Sequence, residues 1–537
     1  MTTHPESHTS TIARSAGTIS FAVLLSRLLG LVREQVFAAL FGAGFAYDSF
    51  IVAFRIPNLL RDLFAEGALS SAFITVFTDY RGKKGAEATW KLANNVITTL
   101  MVIVGTITLV GIFSSGFIVS LMSPDFSLVP GKHELTTLMT SIMFPFLLQV
   151  SLSAVAMGIL NSLGKFFIPS IASSFFNLGS ILSGILFSFI FSLLHQQPII
   201  GMAIGTLIGG LLQIAIQLPE LKRQGFVFNL HLNLYDDGLR RIMKLMLPAI
   251  IGLSATQINL FVNTFFASSC VEGSVSWLNY AFRLIFFPIG MVGVSLSIAT
   301  LPVVSIQASR GDIEQLKNAY VSSTILSFLL TVPASSGLIF LCTPIVRIIF
   351  EHGRFNAYDT LMTAQALSFY SAGLFAYASL KIIVPVFYAL NKTRYPVIGS
   401  FLTVLLNIVF VTALLEPLQH CAIAVSTSLC VVLNFLFLSF ILYRELHGYT
   451  IHYLLQSLLK IVLVSSLMGF GAQWINRTLV ELFGMSTTGE IAALFLAIAG
   501  ALVFYSISIN FARIKEVDYL RSKVTKRLRD LLPRVLW

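Results

Sequence analysis

Charge is scarce in this sequence. Of its 537 residues, 11% are Asp, Glu, Lys or Arg and 56% are apolar, whereas an ordinary soluble domain carries roughly 25% charge. A chain so poor in solvating groups cannot cover a water-facing surface, so a soluble fold is excluded. Cysteine is scarce too. Cys270, Cys342, Cys421 and Cys430 form no CxxC pair and have no nearby His cluster; no metal centre or redox motif is expected, and the four read as small apolar packing residues. No Walker A run or other nucleotide motif is present, which leaves ATP-driven chemistry without a site. The first apolar segment already contains Arg27 and Arg33. It lacks the clean apolar core and small-residue cleavage site of a signal peptide, so the first span is expected to stay. The net charge of +11 fits loops facing an anionic cytoplasmic leaflet, and nucleic acid is not an expected partner.

What the sequence has in abundance is apolar runs of spanning length. About 20 apolar residues cross a hydrocarbon core roughly 30 Å thick. Such runs lie near 17–41, 46–78, 92–121, 136–162, 167–194, 199–220, 243–268, 274–306, 319–343, 360–390, 396–415, 420–443, 453–475 and 487–511. The expectation is an all-α polytopic membrane protein of about fourteen transmembrane helices, since a barrel would show alternating ten-residue strands. Lys and Arg set the orientation. Arg81/Lys83/Lys84, Lys165, Lys222/Arg223 with Arg240/Arg241, Arg310/Lys317, Lys392/Arg394 and Arg444 all follow even-numbered spans, while GAGFA, HQQP and EPLQH carry no base. Both termini are thereby expected in the cytoplasm.

Two pieces of sequence recur at nearly constant distance. IVAFRIP at 51–57 is echoed by NYAFRLI 228 positions on, and the stretch holding Asn161 and Asn177 is echoed 230 positions on around Asn391 and Asn407. An even number of spans per repeat gives both halves one topology, related by an axis along the membrane normal with a substrate path between them, which is a transporter's architecture. The expected organisation is a cytoplasmic N-terminus (1–16), an N-terminal six-helix lobe (17–224), a cytoplasmic linker (225–242), a C-terminal six-helix lobe (243–445), two additional transmembrane helices (446–512) and a basic cytoplasmic tail (513–537).

Against this apolar background, AYDSFIVAFRIPNLLRDLFAEGALSSAF at 46–73 is anomalous. It carries Asp48, Arg55, Arg61, Asp62 and Glu66, and the preceding span adds Arg27 and Arg33. Facing lipid at mid-depth, these seven charges would cost on the order of 15–20 kcal/mol, more than a typical protein's whole stability. They are expected to line water or pair with one another. Asp48, Arg55 and Asp62 are spaced by sevens on one helical stripe, although Pro57 interrupts it and should bend the segment. Four arginines face three acids, and Arg283 joins them from the second repeat. Forked guanidinium donors suit phosphate oxygens better than a Lys point charge does, so the implied ligand is an anion of phosphate or diphosphate type. At the 228 offset Asp48 corresponds to Ser276 and Arg61 to Ile289, while Arg55 keeps its charge as Arg283. A polar grip in one half and an apolar second half would fit an anionic head with a greasy tail.

SRLLGLVREQVFAALFGAG (26–44), DSFIVAFRIPNLLRDLFAEGALSSAF (48–73), GSVSWLNYAFRLIFFPIGMVGVSLSIATLPVVS (273–305) and FEHGRFNAYDT (350–360) resemble the MurJ/MviN family, lipid II flippases of the bacterial inner membrane in the multidrug/oligosaccharidyl-lipid/polysaccharide exporter superfamily. The resemblance runs over essentially the whole chain. It implies two six-helix lobes, a C-terminal helix pair flanking a groove for the polyprenyl tail, and a cationic cavity for the diphosphate-sugar-peptide head. The family's charges fall on Arg27, Arg33, Asp48, Arg61 and Arg283, with Ser26, Arg55, Asp62 and Glu66 as secondary candidates. The family often has acids flanking the eighth-span arginine; here Phe282 and Phe286 stand in those places, so neutralisation of Arg283 by them is unavailable. The expected function is outward flipping of lipid II by alternating access, without catalysis, cofactor or metal. It would be driven by an ion gradient, the membrane potential or substrate flux, and Asp48 would orient or release the arginines. Lipid II and anionic membrane lipids are the expected partners, contact with cell-wall synthesis machinery is left open, and a monomer is expected to suffice. The rival readings are a flippase for another polyprenyl-linked saccharide, a drug/cation antiporter, which the arginine excess argues against, and a membrane scaffold.

Overall fold

The structure, a computed structural model, describes residues 5–62, 68–484 and 486–523. Among the described residues all regular structure is helical and no strand occurs. Ten of these helices are long and apolar enough to cross a membrane, or up to twelve if the bent pairs Asp237–Pro248 with Gly252–Ser268 and Ala357–Ala372 with Leu374–Ala389 each count as one span. The protein is thus a multi-pass helical membrane protein. Its contacts gather into two units, Met1–Ser276 with His352–Phe355, and Trp277–Glu351 with Asn356–Trp537.

Unit 1 contains α1 (Pro5–Phe41), α2 (Phe45–Arg61), α3 (Ala68–Phe113), α4 (Ser115–Met122), α5 (Lys132–Met143), α6 (Pro145–Ser162), α7 (Phe167–Leu193), α8 (Ile199–Ala215), α9 (Leu218–Arg223) and α10 (Asp237–Ser268). The expected span at 46–78 is two helices: α2 continues through Pro57 to Arg61, and α3 resumes at Ala68. Glu66 lies outside the described residues. α3 is broken at Gly85 (φ 80°, ψ −179°), beside the basic RGKKG run, and only glycine takes that conformation cheaply. The Asp236 side chain caps α10 by accepting from Leu239 N. Phe73, Phe77, Val96, Ile159 and Leu160 form a buried cluster between α3 and α6.

The tightest helix pair, α7 with α8, is built on small residues. Gly201, Gly205 and Gly209 recur every fourth position on α8. A Cβ on Gly205 would sit 2.7 Å from the Gly184 backbone and from Ser180 O, and one on Gly209 would sit 2.6 Å from Phe176 O. Lipid tails are as apolar as leucine, so membrane helices associate by such close backbone approach. Gly205→Val is therefore expected to cost about 1–3 kcal/mol by overpacking, visible as a lower melting temperature in detergent; an unchanged melting temperature would contradict the seam.

α11 (Ser274–Pro288) leads from unit 1 into unit 2. It is followed by a π-helical turn at Ile289–Gly293 and then by α12 (Val294–Arg310), α13 (Ile313–Phe340), α14 (Cys342–Phe350), α15 (Ala357–Ala372), α16 (Leu374–Ala389), α17 (Arg394–Leu418), α18 (His420–Glu445), α19 (Ile451–Phe483) and α20 (Thr487–Ser508). The core of this unit gathers Phe328, Ile382, Phe387, Phe435 and Leu442. Some of its buried hydroxyls are satisfied within their own helix: Thr324 donates to Tyr320 O and Thr331 to Ser327 O, the back-bonding that lets Ser and Thr enter apolar helices. Asn356 and Asp359 form a reciprocal capping box at the start of α15.

Candidate functional site

In unit 1 the embedded charges fall into three groups. On α1, Arg27 is exposed and Arg33 is half-buried. Arg33 Nη2 donates to Glu34 Oε1 at 3.1 Å, and the guanidinium carbon lies 5.4 Å from the centre of the Phe176 ring. Glu34 is buried, and its Oε2 accepts from the Tyr47 hydroxyl at 2.5 Å. Arg33 Nε is buried without a hydrogen-bond partner. The guanidinium is thus propped by a carboxylate on one edge and an aromatic face beneath, with donor capacity left over. A tilted ring path, Phe176–Phe146–Phe54, leads from beneath Arg33 to the residue preceding Arg55. Ser26 contributes its carbonyl, which accepts from Asn177 Nδ2 at 3.1 Å and ties α1 to α7. Tyr47→Phe removes the hydroxyl that donates to the buried Glu34 carboxylate and is expected to cost about 1–3 kcal/mol, read as a loss of thermal stability; no loss would mean that this bond does not stabilise the fold.

The second group surrounds Asp48, which is 1% exposed. Its Oδ1 accepts from Ser276 N at 2.9 Å and Ser276 Oγ at 2.6 Å; its Oδ2 accepts from Gly273 N at 2.9 Å and Lys132 Nζ at 3.1 Å. Lys132 is buried as well, with Nζ 4.4 Å from the Phe126 ring centre. One carboxylate thereby joins α2 to α5 and to the N-terminus of α11, where exposed N–H groups and the helix dipole favour an anion. The expected role for Asp48, orienting the arginines, meets a different geometry: none of its described partners is an arginine, and its acceptor sites are filled. Two contacts reinforce this clasp. Phe45 N donates to Glu272 Oε1 at 3.0 Å, and Arg354 N donates to Ala39 O at 2.9 Å. The FEHGRF motif thus docks on the α1–α2 turn, where a Cβ on Gly353 would stand 2.2 Å from Ala39 O.

The third group lies at the end of α2. Arg61 donates from Nε and Nη2 to Asp62 Oδ1 at 3.2 and 2.9 Å, and Gln257 Nε2 on α10 lies 3.4 Å from Asp62 Oδ2. Both partners of this pair are about one quarter exposed (23% and 29%), so the ion pair is wetted and of modest strength. Arg55 is half-buried on α2. In unit 2, Arg283 is exposed on α11, and the neighbouring Phe282 packs edge-on against Phe286 at 5.1 Å and Tyr370 at 5.3 Å. Aromatic packing fills the positions flanking Arg283.

Comparison with known proteins decides the family. A family model described as lipid II flippase MurJ matches residues 37–493. The chain belongs to the lipid II flippase MurJ family. A probable lipid II flippase MurJ of Buchnera aphidicola subsp. Acyrthosiphon pisum is 36% identical over 486 residues, covering 88% of this chain and 94% of that protein. Its counterpart in Vibrio cholerae is 34% identical over 483 residues, covering 89% and 90%. A solved lipid II flippase MurJ in an inward closed conformation aligns with TM-score 0.73 at 27% identity, over 91% of this chain and 98% of that one. An inward-facing multidrug resistance MATE transporter of the MOP superfamily aligns with TM-score 0.68 at 15% identity, over 79% and 95%; this second likeness concerns the fold alone.

The MurJ match includes Asp48, Arg55, Arg61, Asp62 and Arg283 and begins after Arg27 and Arg33. Sequence reasoning missed Glu34, Tyr47, Lys132, Phe176 and Gln257. Glu34 alone had a signal, standing directly after Arg33. Lys132 lies in a connection between apolar runs, and nothing local ties it to Asp48 84 residues earlier.

Proposed function

We propose that this chain flips lipid II, an undecaprenyl-diphosphate-linked disaccharide-pentapeptide, from the cytoplasmic to the periplasmic leaflet of the bacterial inner membrane, as a transporter and not a catalyst. The observation that carries this is Arg33. An arginine on α1 that is paired with the adjacent carboxylate and has a buried orphan Nε keeps fork donors for an oxyanion, and diphosphate oxygens match that geometry. Arg27, Arg61 and Arg283 add positive charge for the rest of the head group. The proposed topology has fourteen spans, with two six-helix repeats at 17–224 and 243–445, two additional helices and cytoplasmic termini, working as a monomer. The energy comes from an ion gradient, the membrane potential or substrate flux.

The contacts of Asp48 support the repeat. Asp48 and Ser276, equivalent at the sequence offset of 228, bond directly across 228 residues, and Phe45 meets Glu272 across 227. Equivalent positions of two repeats touch only near the axis that relates them. In this reading the Asp48–Lys132–α11 clasp closes the periplasmic end while the arginines await substrate from the cytoplasm, and its opening accompanies release, an alternating-access cycle.

Depleting the protein and measuring which leaflet holds lipid II tests the proposal. Accumulation on the cytoplasmic side is expected. Undiminished outward exposure, with no substitute flippase present, would sink it.

A further inference from the structure

The connector between α9 and α10, GFVFNLHLNLYDD at 225–237, has side chains whose placement the transport reading does not use. It runs along α3 and is held there by side chains imitating a neighbouring strand. Asn94 donates to Val227 O at 3.0 Å and accepts from Asn229 N at 3.0 Å; Asn95 donates to Asn233 O at 2.8 Å and accepts from Asn233 N at 2.7 Å; Thr98 Oγ1 accepts from His231 N at 3.3 Å. Bonds to residues 227, 229, 231 and 233 on one side identify extended backbone, in which side chains alternate between two faces. One face then carries Phe226, Phe228, Leu230 and Leu232, and the other Val227, Asn229, His231 and Asn233; at Leu234–Tyr235 the chain turns, with Asp236 N donating to Asn233 O at 3.3 Å. Phe226 packs on Trp90. The remaining three apolar residues of its face are exposed, Leu230 at 80%, and exposed Val227, Leu234 and Tyr235 adjoin them. A contiguous exposed row of this kind marks an interaction surface.

Its surroundings say what covers it. The strap connects α9, whose chain continues from the spanning helix α8, to α10, so it lies next to membrane at both ends. On α3 it rests at Asn94–Thr98. Before that level the helix carries Lys83, Lys84 and Lys91, and its first strongly exposed large apolar residue, Val102, comes one turn later. The strap therefore sits where the protein surface changes from charged to lipid-facing. Between residues 220 and 244 there are five bases (Lys222, Arg223, Arg240, Arg241, Lys244) and three acids (Glu220, Asp236, Asp237); Asp236 is engaged as the α10 cap, Arg223 pairs with Glu220 and Arg241 with Asp79, which leaves Lys222, Arg240 and Lys244 for headgroups.

We infer that residues 226–233 form an interfacial membrane strap, seated with Phe228, Leu230 and Leu232 among the acyl chains of a phospholipid leaflet, while the flanking bases hold anionic headgroups. Interfacial segments bind by this sum of apolar area and charge. The amides of Asn94 and Asn95 make an extended segment tolerable there, because its backbone groups would otherwise be unsatisfied at membrane depth. The inference stands independently of the transported substrate.

The test places a nitroxide in turn at Leu230→Cys, Leu232→Cys, Asn229→Cys and His231→Cys, in a full chain whose four native cysteines are replaced. The protein is reconstituted in nanodiscs of phosphatidylcholine alone or mixed equally with phosphatidylglycerol. Oxygen accessibility several-fold above nickel-chelate accessibility at 230 and 232, reversed at 229 and 231 and deeper with phosphatidylglycerol, is the expected result. Equal nickel accessibility at all four positions would overturn the seat in the leaflet. Exclusion of both probes at 230 and 232 would mean a protein covering and would also overturn it, and equal depth in phosphatidylcholine would overturn the headgroup part. If the cysteine-free background aggregates, Leu230→Trp in the native chain with brominated lipid reads the same question: quenching of the added emission supports the seat, and its absence overturns it.

Discussion

Asp48→Ala is expected to destabilise the folded protein by about 3–5 kcal/mol, the cost of leaving the partner of a buried ion pair uncompensated. Lys132, 3% exposed, would lose its only carboxylate in the clasp, and the Gly273 and Ser276 N–H groups would lose theirs. Asp48→Asn is expected to fall short of rescue. A side-chain amide supplies one acceptor oxygen where the carboxylate fills two, and it turns an NH2 toward either Lys132 or the α11 N-terminus. Pairing Asp48→Asn with Lys132→Met removes both charges together, so the double variant should be less destabilised than the sum of the single changes. Transport is expected to stay low in it, because the carboxylate bonds to Gly273 and Ser276 are still missing. Melting temperatures of the parent, Asp48→Ala, Asp48→Asn, Lys132→Met and the double variant, set beside complementation of depleted cells, check this. Additive losses, or an Asp48→Ala protein as stable as the parent, would remove the clasp from the mechanism.

Arg33→Gln is expected to lower transport about tenfold to a hundredfold while the protein still inserts. One charge-assisted hydrogen bond is worth about 1.5–3 kcal/mol, and each 1.4 kcal/mol is about tenfold in affinity. Arg33→Lys should restore only part of this, since it keeps the charge and loses the planar fork and the stacking on Phe176. The single variant also removes the counter-charge of the buried Glu34, so Arg33→Gln with Glu34→Gln separates stability from function: stability should recover and transport should not. Arg283→Gln is expected to lower transport in the same way from unit 2, with the melting temperature measured beside it. A scaffold for wall-synthesis enzymes would tolerate all of these changes. Normal transport by a stable Arg33→Gln/Glu34→Gln protein would take Arg33 out of the binding site.

Much of the architecture was legible because membrane burial writes itself into composition. Apolar runs of spanning length give the helices, and scarce charge excludes a water-facing surface. The FRIP and FRLI echoes suggested a duplication. The site was legible in part. Arg33 and Arg61 stood out because charge in an apolar helix is expensive, and each has a sequence-adjacent acid as partner. Spacing by sevens puts Asp48, Arg55 and Asp62 on a shared helical stripe, but what each residue meets depends on the helices packed around it. Asp48 meets Lys132 and the α11 N-terminus; Asp62 meets Arg61 and Gln257.

The sequence by itself determined that this chain lives in a membrane, that its helices are many, and that arginine is concentrated where arginine is costly. Those properties follow from residue type and order, since transfer free energy and helical rise act on any stretch independently of its neighbours. Tertiary structure alone decided that Asp48 closes a clasp, that Glu34 and Phe176 brace Arg33, and that the amides of Asn94 and Asn95 hold an extended strap 133–138 residues away. Hydrogen bonds need groups within about 3 Å of one another, and across such separations only the packing of the intervening helices brings them there.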